Sequence, residues 1–195
     1  MSIIFFLLKH ITHLTFEIRG EVPQTPCLIA SKHQSTFETF VFHKILKNPV
    51  YFLKKELLYI PIFGWYLKKE GMIPLSRHRK KLPFKNLCLR AAQALSSGSH
   101  IILFPEGTRT SPGAKVPYKT GISLFYQALN VPVVPVALNS GLFWGRRSFL
   151  KRPGCVIIEF LPPISPGLNP KSFLTCLETQ LEERSKDLIN DRYSS

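Results

Sequence analysis

The chain has 195 residues, with 26 Lys and Arg against 12 Asp and Glu, a formal charge of +14 and 45% hydrophobic residues. This is the length of one domain with a sizeable core, and its charge suits an anionic partner. Cys27, Cys88, Cys155 and Cys176 are too widely spaced for a zinc site or a disulfide framework. No metal is expected, and the thiols are read as reduced and cytoplasm-facing. The basic residues form no recognisable nucleic-acid module, so no nucleic-acid partner is expected.

Residues 1–18 read as an N-terminal helix. Ile4, Leu7, Leu8, Ile11 and Leu14 recur at helical spacing, with Phe5 and Phe6 partly off that stripe. The run Ile3–Leu8 is far short of the about 20 apolar residues needed to cross a bilayer. The stripe favours a membrane-associating helix that lies on or dips into one leaflet, the alternative being one packed on its own domain. No secretory signal is indicated.

Residues 19–195 read as a single α/β domain, a layered fold with a mixed, largely parallel sheet flanked by helices. Strands are predicted at Cys27–Ser31, Val50–Leu53, Met72–Leu75, Ile101–Phe104, Val133–Leu138 and Val156–Phe160. Helices are predicted from about Thr36 to Leu46, from Pro83 to just before Gly98, and from Ile122 to Leu129. The Pro-rich stretch Leu161–Gly167 marks a turn into a last helix. Tyr59–Leu67, followed by Lys68 and Lys69, is rich in aromatics, and Gly141–Arg147 repeats that aromatic-then-basic order. Either segment fits a membrane interface or internal packing.

Two motifs carry chemistry. Ser31-Lys32-His33-Gln34-Ser35-Thr36-Phe37-Glu38 places a histidine five residues before a carboxylate. Histidine is a good general base because its ordinary pKa lies near neutrality, and a carboxylate on its second ring nitrogen fixes the tautomer. A five-residue offset turns about 140° on a helix, so His33 is expected in a turn and Glu38 in the first helical turn. Ser35-x-x-Glu38 also fits a capping box. The second motif, Phe104-Pro105-Glu106-Gly107-Thr108-Arg109, ends an apolar strand in a loop carrying an acid, a glycine, a hydroxyl and a guanidinium. Lys119-Thr120-Gly121 precedes an apolar helix and can set a cation or a helix N-terminus beside a phosphate, or be an ordinary junction.

His33-x4-Glu38, Gly71-Met72-Ile73-Pro74-Leu75-Ser76-Arg77, Phe104–Arg109 and Val133-Val134-Pro135-Val136 together resemble the four ordered blocks of the glycerolipid acyltransferases, above all the bacterial 1-acylglycerol-3-phosphate acyltransferases. Where the family's first block usually ends in Asp this chain has Glu38, and where its second often has an acid this chain has Ser76.

The resemblance implies an acyl transfer to the free hydroxyl of 1-acylglycerol-3-phosphate, giving phosphatidate. His33 would be the general base and Glu38 its orienting partner, without an acyl-enzyme. It implies phosphate recognition by Arg77, Glu106, Gly107, Thr108, Arg109 and Lys119. Glu106 would either accept from an acceptor hydroxyl or hold Arg109. Pro135 would lie at the acyl-donor site. Acyl-CoA or acyl-carrier protein is implied as co-substrate, with no cofactor, and a membrane surface with anionic lipids as partner. Localisation is expected at the cytoplasmic face of the inner membrane. Another lysophospholipid or glycerol-3-phosphate as acceptor, or a non-catalytic lipid-binding role, are the alternative readings.

Overall fold

The computed structural model describes residues 2–75 and 83–191. In chain order its elements are α1 (Ser2–Thr12), β1 (Leu14–Arg19), β2 (Leu28–Ser31), α2 (Phe37–Ile45), β3 (Pro49–Lys54), a 3-10 turn (Lys55–Tyr59), α3 (Phe63–Lys69), β4 (Ile73–Leu75), α4 (Phe84–Ser96), β5 (His100–Leu103), α5 (Gly121–Leu129), β6 (Val133–Leu138), a 3-10 turn (Ser140–Leu142), β7 (Gly154–Phe160) and α6 (Pro170–Asn190).

The seven strands form one sheet in the order β1-β7-β6-β2-β5-β3-β4. Every neighbouring pair is parallel except β6 and β7. Central parallel strands are covered on both faces and so read as continuous apolar runs. Leu28–Ser31 is fully buried, as is all of Val133–Leu138. Side chains alternate between the two faces. Ile29, Ile102 and Val134 enter a core shared with Phe37, Val41 and Phe42 of α2, while Leu28, Ile101 and Val133 enter one shared with Phe125, Phe173 and Leu177 of α5 and α6.

The chain leaves β2 toward β3 on one side and later returns to β6 on the other. β2 therefore sits at a point where strand order reverses, and in open α/β sheets ligands bind beyond the carboxyl ends of strands at such a point. The His33 loop follows β2, the Phe104 loop follows β5, and the Ser140 turn follows β6.

The N-terminal helix is shorter than expected. It stops at Thr12, His13 takes a left-handed conformation at φ 51°, and Leu14–Arg19 becomes an edge strand parallel to β7. Leu14 is accordingly a strand residue, 2% exposed, and not part of a helical stripe. The helix is apolar on more than one side. Phe5 and Leu8 pack inward, Phe5 lying 5.0 Å from Phe16 and 5.9 Å from Phe37, whereas Ile4, Leu7 and Ile11 face outward. Phe5, read off the stripe, is thus the helix's anchor to the domain. Among the described residues no helix is long and apolar enough to cross a membrane.

Candidate active site

The turn Ser31–Thr36 leaves the end of β2 and α2 begins at Phe37, which puts Glu38 in its first turn behind His33. The His33 Nδ1–H donates to Glu38 Oε1 at 2.9 Å. The same oxygen accepts from the backbone N–H groups of Gln34 and Ser35, each at 2.8 Å, and the Ser35 hydroxyl accepts from the Phe37 N–H at 3.2 Å. Capping and pairing are therefore not alternatives: one carboxylate oxygen does both. A carboxylate can accept at several lone pairs, and the second oxygen is also taken, by the Ser140 hydroxyl at 2.8 Å.

With Glu38 wholly buried and four donors on it, the carboxylate has one position. The His33 ring is held as firmly, stacked on Phe104 with centroids 3.9 Å apart and planes 16° from parallel. At 17% side-chain exposure it is the solvent-reaching member of the pair. Since Nδ1 is spent on Glu38, Nε2 presents its lone pair.

The Phe104–Arg109 loop comes from the neighbouring strand and bonds directly to the first motif. Arg109 donates from Nη1 to the Thr36 hydroxyl at 2.8 Å, and the Thr110 N–H donates to the His33 carbonyl at 2.8 Å. Gly107 takes φ 67°, a conformation that favours glycine, and a side chain there would meet the Lys119 Cγ at 3.5 Å. Lys119 passes over this turn, and its own N–H donates to the Pro105 carbonyl at 2.8 Å. Gly107, Thr108, Arg109 and Lys119 are thereby assembled on one rim, with Gly107, Thr108 and Lys119 exposed and Arg109 half-buried. Arg77 lies outside the described residues.

Two expected site residues are buried. Glu106 is 1% exposed: its Oε2 accepts from the His33 N–H at 3.0 Å, its Oε1 from the Thr110 hydroxyl at 2.9 Å, and Lys32 pairs with Oε1 at 2.5 Å. Its partner is Lys32, not Arg109, because a buried carboxylate must be neutralised where it lies. Pro135 is buried within β6 opposite Ala30 of β2, its carbonyl accepting from the Leu161 N–H at 2.9 Å. It is part of the sheet.

The structure adds residues that motif reading missed. Lys32 is 3% exposed and lies between Glu106 and Glu182 of α6, bonding the latter at 2.6 Å, while the Tyr118 hydroxyl donates to that same Glu182 oxygen at 2.7 Å. Burial and the bond to Glu182 push the Tyr118 hydroxyl far above its ordinary pKa, so it stays a donor. Gln34 accepts from the Gly141 N–H at 3.0 Å, which with Ser140 clamps the turn after β6 onto the first motif. The available signal for Lys32 was its place at a strand end beside His33; nothing local pointed to partners as distant as Glu182.

The arrangement can remove a proton at His33 Nε2 beside a cationic rim. Comparison with known proteins agrees in kind. The Acyltransferase family model matches residues 13–139. A 1-acyl-sn-glycerol-3-phosphate acyltransferase of Pseudomonas aeruginosa is 31% identical over 95% of this chain and 72% of its own length. One of Saccharomyces cerevisiae is 28% identical over 83% of this chain and 55% of its own length. The crystal structure of the 1-acyl-sn-glycerophosphate acyltransferase PlsC from Thermotoga maritima shares the fold, with a TM-score of 0.75 at 19% identity, over 96% of this chain and 76% of that one. With the matched region running from the start of β1 to the end of β6 and holding His33, Glu38 and Arg109, the chain belongs to the acyltransferase family.

Proposed function

We propose that this enzyme transfers a fatty acyl group from acyl-CoA or acyl-carrier protein to the free hydroxyl of 1-acylglycerol-3-phosphate, forming phosphatidate. The observation that carries the reading is the 2.9 Å His33–Glu38 pair beside the rim of Arg109 and Lys119. His33 Nε2 takes the hydroxyl proton as the hydroxyl oxygen attacks the thioester carbonyl. The tetrahedral intermediate collapses, the carbon–sulfur bond breaks, and the imidazolium returns its proton to the leaving thiolate. Glu38 orients the ring and balances the charge it gains. No covalent acyl-enzyme is formed.

The acceptor phosphate is bound by Arg109, whose planar fork suits a phosphate, with Lys119 and the Thr108 hydroxyl beside it. Gly107 lets the turn come close to the ligand. The same chemistry on glycerol-3-phosphate or another lysophospholipid is the second reading, because the rim recognises phosphate and the resemblance alone selects the acceptor's acyl chain. The chain works at the cytoplasmic face of a membrane, with the outward face of α1 in one leaflet.

The test is mass-spectrometric detection of phosphatidate after mixing the purified chain and lysophosphatidate with acyl-CoA, and separately with acyl-carrier protein. Product from the native chain and none above background from His33→Ala is expected. Folded protein that yields no product with either donor or with glycerol-3-phosphate would overturn the assignment.

A further inference from the structure

Exposed large apolar side chains are unevenly placed over the described residues. On the face covered by α4, α5 and α6 they are single and scattered: Phe84, Leu89, Leu124 and Leu168. The other face carries three concentrations. One is the outward side of α1. A second is the hairpin made by the 3-10 turn and α3, where Tyr59 is 72% exposed, Ile62 85% and Trp65 66%. The third is the loop before β7, with Phe149 at 90% and Leu150 at 78%. Phe5 and Leu8 of α1, Leu57 and Leu58 of the hairpin and Trp144 of the loop all pack into the same core layer. All three segments therefore belong to one side of the sheet.

The hairpin tip is built at a conformational cost. The Phe63 N–H donates to the Pro61 carbonyl at 2.6 Å, closing a three-residue turn around Ile62 at φ 64°, ψ −55°. A β-branched residue strongly disfavours that region, and the turn of this hand is strained. Gly64 tightens the hairpin further, since a side chain there would meet the Leu58 carbonyl oxygen at 2.1 Å. The strain holds outward an isoleucine that buries almost nothing in the domain. Strain of this kind points to a role outside the folding of the chain itself.

Cations fringe both segments. The hairpin has Lys54, Lys55, Lys68 and Lys69 against Glu56 and Glu70, and the loop has Arg146, Arg147, Lys151 and Arg152 with no acid between Trp144 and Arg152. Lys69 lies over the Trp65 ring at 5.3 Å, and Lys151 over Trp144 at 4.5 Å and Phe149 at 4.8 Å. An exposed apolar tip with aromatic rings and a cationic fringe matches a bilayer boundary with anionic headgroups. The loop is also tied to the active-site rim, for Arg146 donates to the Arg109 carbonyl at 3.2 Å.

We infer that the α3 hairpin and the Phe149–Leu150 loop are second and third membrane anchors, which dock with α1 on an anionic lipid surface and set the His33–Arg109 rim toward it. This rests on the proposed reading of α1 as leaflet-bound. Ile62 and Trp65 enter the acyl region, as do Phe149 and Leu150, and the eight fringing cations meet the headgroups.

The chain has two tryptophans, one on each segment. The full chain carrying Trp144→Phe leaves Trp65 as sole reporter, and Trp65→Phe leaves Trp144. Each is mixed with phosphatidylcholine vesicles, with and without phosphatidylglycerol, bearing brominated acyl chains. The expected result is a blue shift and bromine quenching of Trp65, stronger with phosphatidylglycerol. Ile62→Gly, which suits the left-handed turn, should keep an equal or higher Tm while lowering vesicle partitioning about tenfold, and Ile62→Leu should restore it. Vesicle-bound protein with Trp65 unquenched would overturn the inference and leave α1 as anchor. A Trp65 response to acyl-carrier protein alone, or to protein concentration alone, would overturn it by assigning the face to a protein. Failure to bind any vesicle would remove the α1 reading as well, whereas phosphatidate formation from detergent-dispersed lysophosphatidate would still report the transferase.

Discussion

Ser140 donates its hydroxyl to Glu38 Oε2 at 2.8 Å from 102 residues further along the chain, and both side chains are wholly buried. It is the fourth donor on a carboxylate whose other oxygen orients His33. Removing it leaves a buried acceptor unpaired, which costs about 1–3 kcal/mol. Ser140→Ala should therefore lower kcat roughly tenfold with little change in KM, read in steady-state assays. Glu38→Asp draws the carboxylate back from Ser140 but keeps an acceptor for His33, so activity within about tenfold of native is expected. Glu38→Gln should lose at least about a hundredfold, because an amide does not hold the imidazolium. Equal activity of the Asp and Gln variants would show that Glu38 only caps α2.

Lys32 is the counter-charge for two acids at once. Lys32→Met leaves Glu106 buried without its cation, and breaking a buried pair in this way costs about 3–5 kcal/mol. A urea midpoint that falls accordingly is the expected outcome. Adding Glu106→Gln to that variant should recover part of the loss, a coupling measurable by a double-mutant cycle. Additive effects would mean that the two groups act independently.

Arg109→Lys removes the planar fork and its bond to Thr36 while keeping the charge. The expected change is an acceptor KM raised about tenfold with Tm nearly unchanged. An unaltered acceptor KM would remove Arg109 from the phosphate site.

His100 is 1% exposed at the start of β5, its Nδ1 3.5 Å from the Cys27 Sγ. Burial lowers its pKa below the ordinary 6.5. The unfolded chain therefore binds a proton that the native state resists, so His100 costs no stability above about pH 6.5 and subtracts from it as pH falls below that value. His100→Gln should flatten the decline of Tm between about pH 6.5 and pH 5, followed by thermal scans at several pH values. A parallel shift of the whole curve would assign the effect to packing.

The strands β2, β5 and β6 were legible as apolar runs bounded by turn residues, and the placement of His33 in a turn with Glu38 in the next helical turn followed from helical geometry. β1 was not legible. Its alternation of Phe16 and Ile18 with polar residues follows an apolar helix with only His13 between, and it is the left-handed turn at His13 and the pairing with β7 that end the helix. Glu106 illustrates a different limit. A glutamate in a loop beside an arginine has no local reason to turn inward, and Lys32, at the end of another strand, supplies that reason.

By itself the sequence determined that His33 and Glu38 would meet, because both sit in one short segment where spacing and local hydrogen bonding bring them together. It also fixed the charge and the apolar runs that build the sheet. Only the tertiary structure decided that β5, β2 and β6 are neighbours, and with that the convergence of Arg109, His33 and Ser140 and the burial of Lys32 between Glu106 and Glu182. The physical reason is that apolar strands are nearly interchangeable to the hydrophobic effect, which rewards burial without naming a neighbour. Strand order emerges from connections and packing across the whole chain, and the distant partners of a buried charge emerge with it.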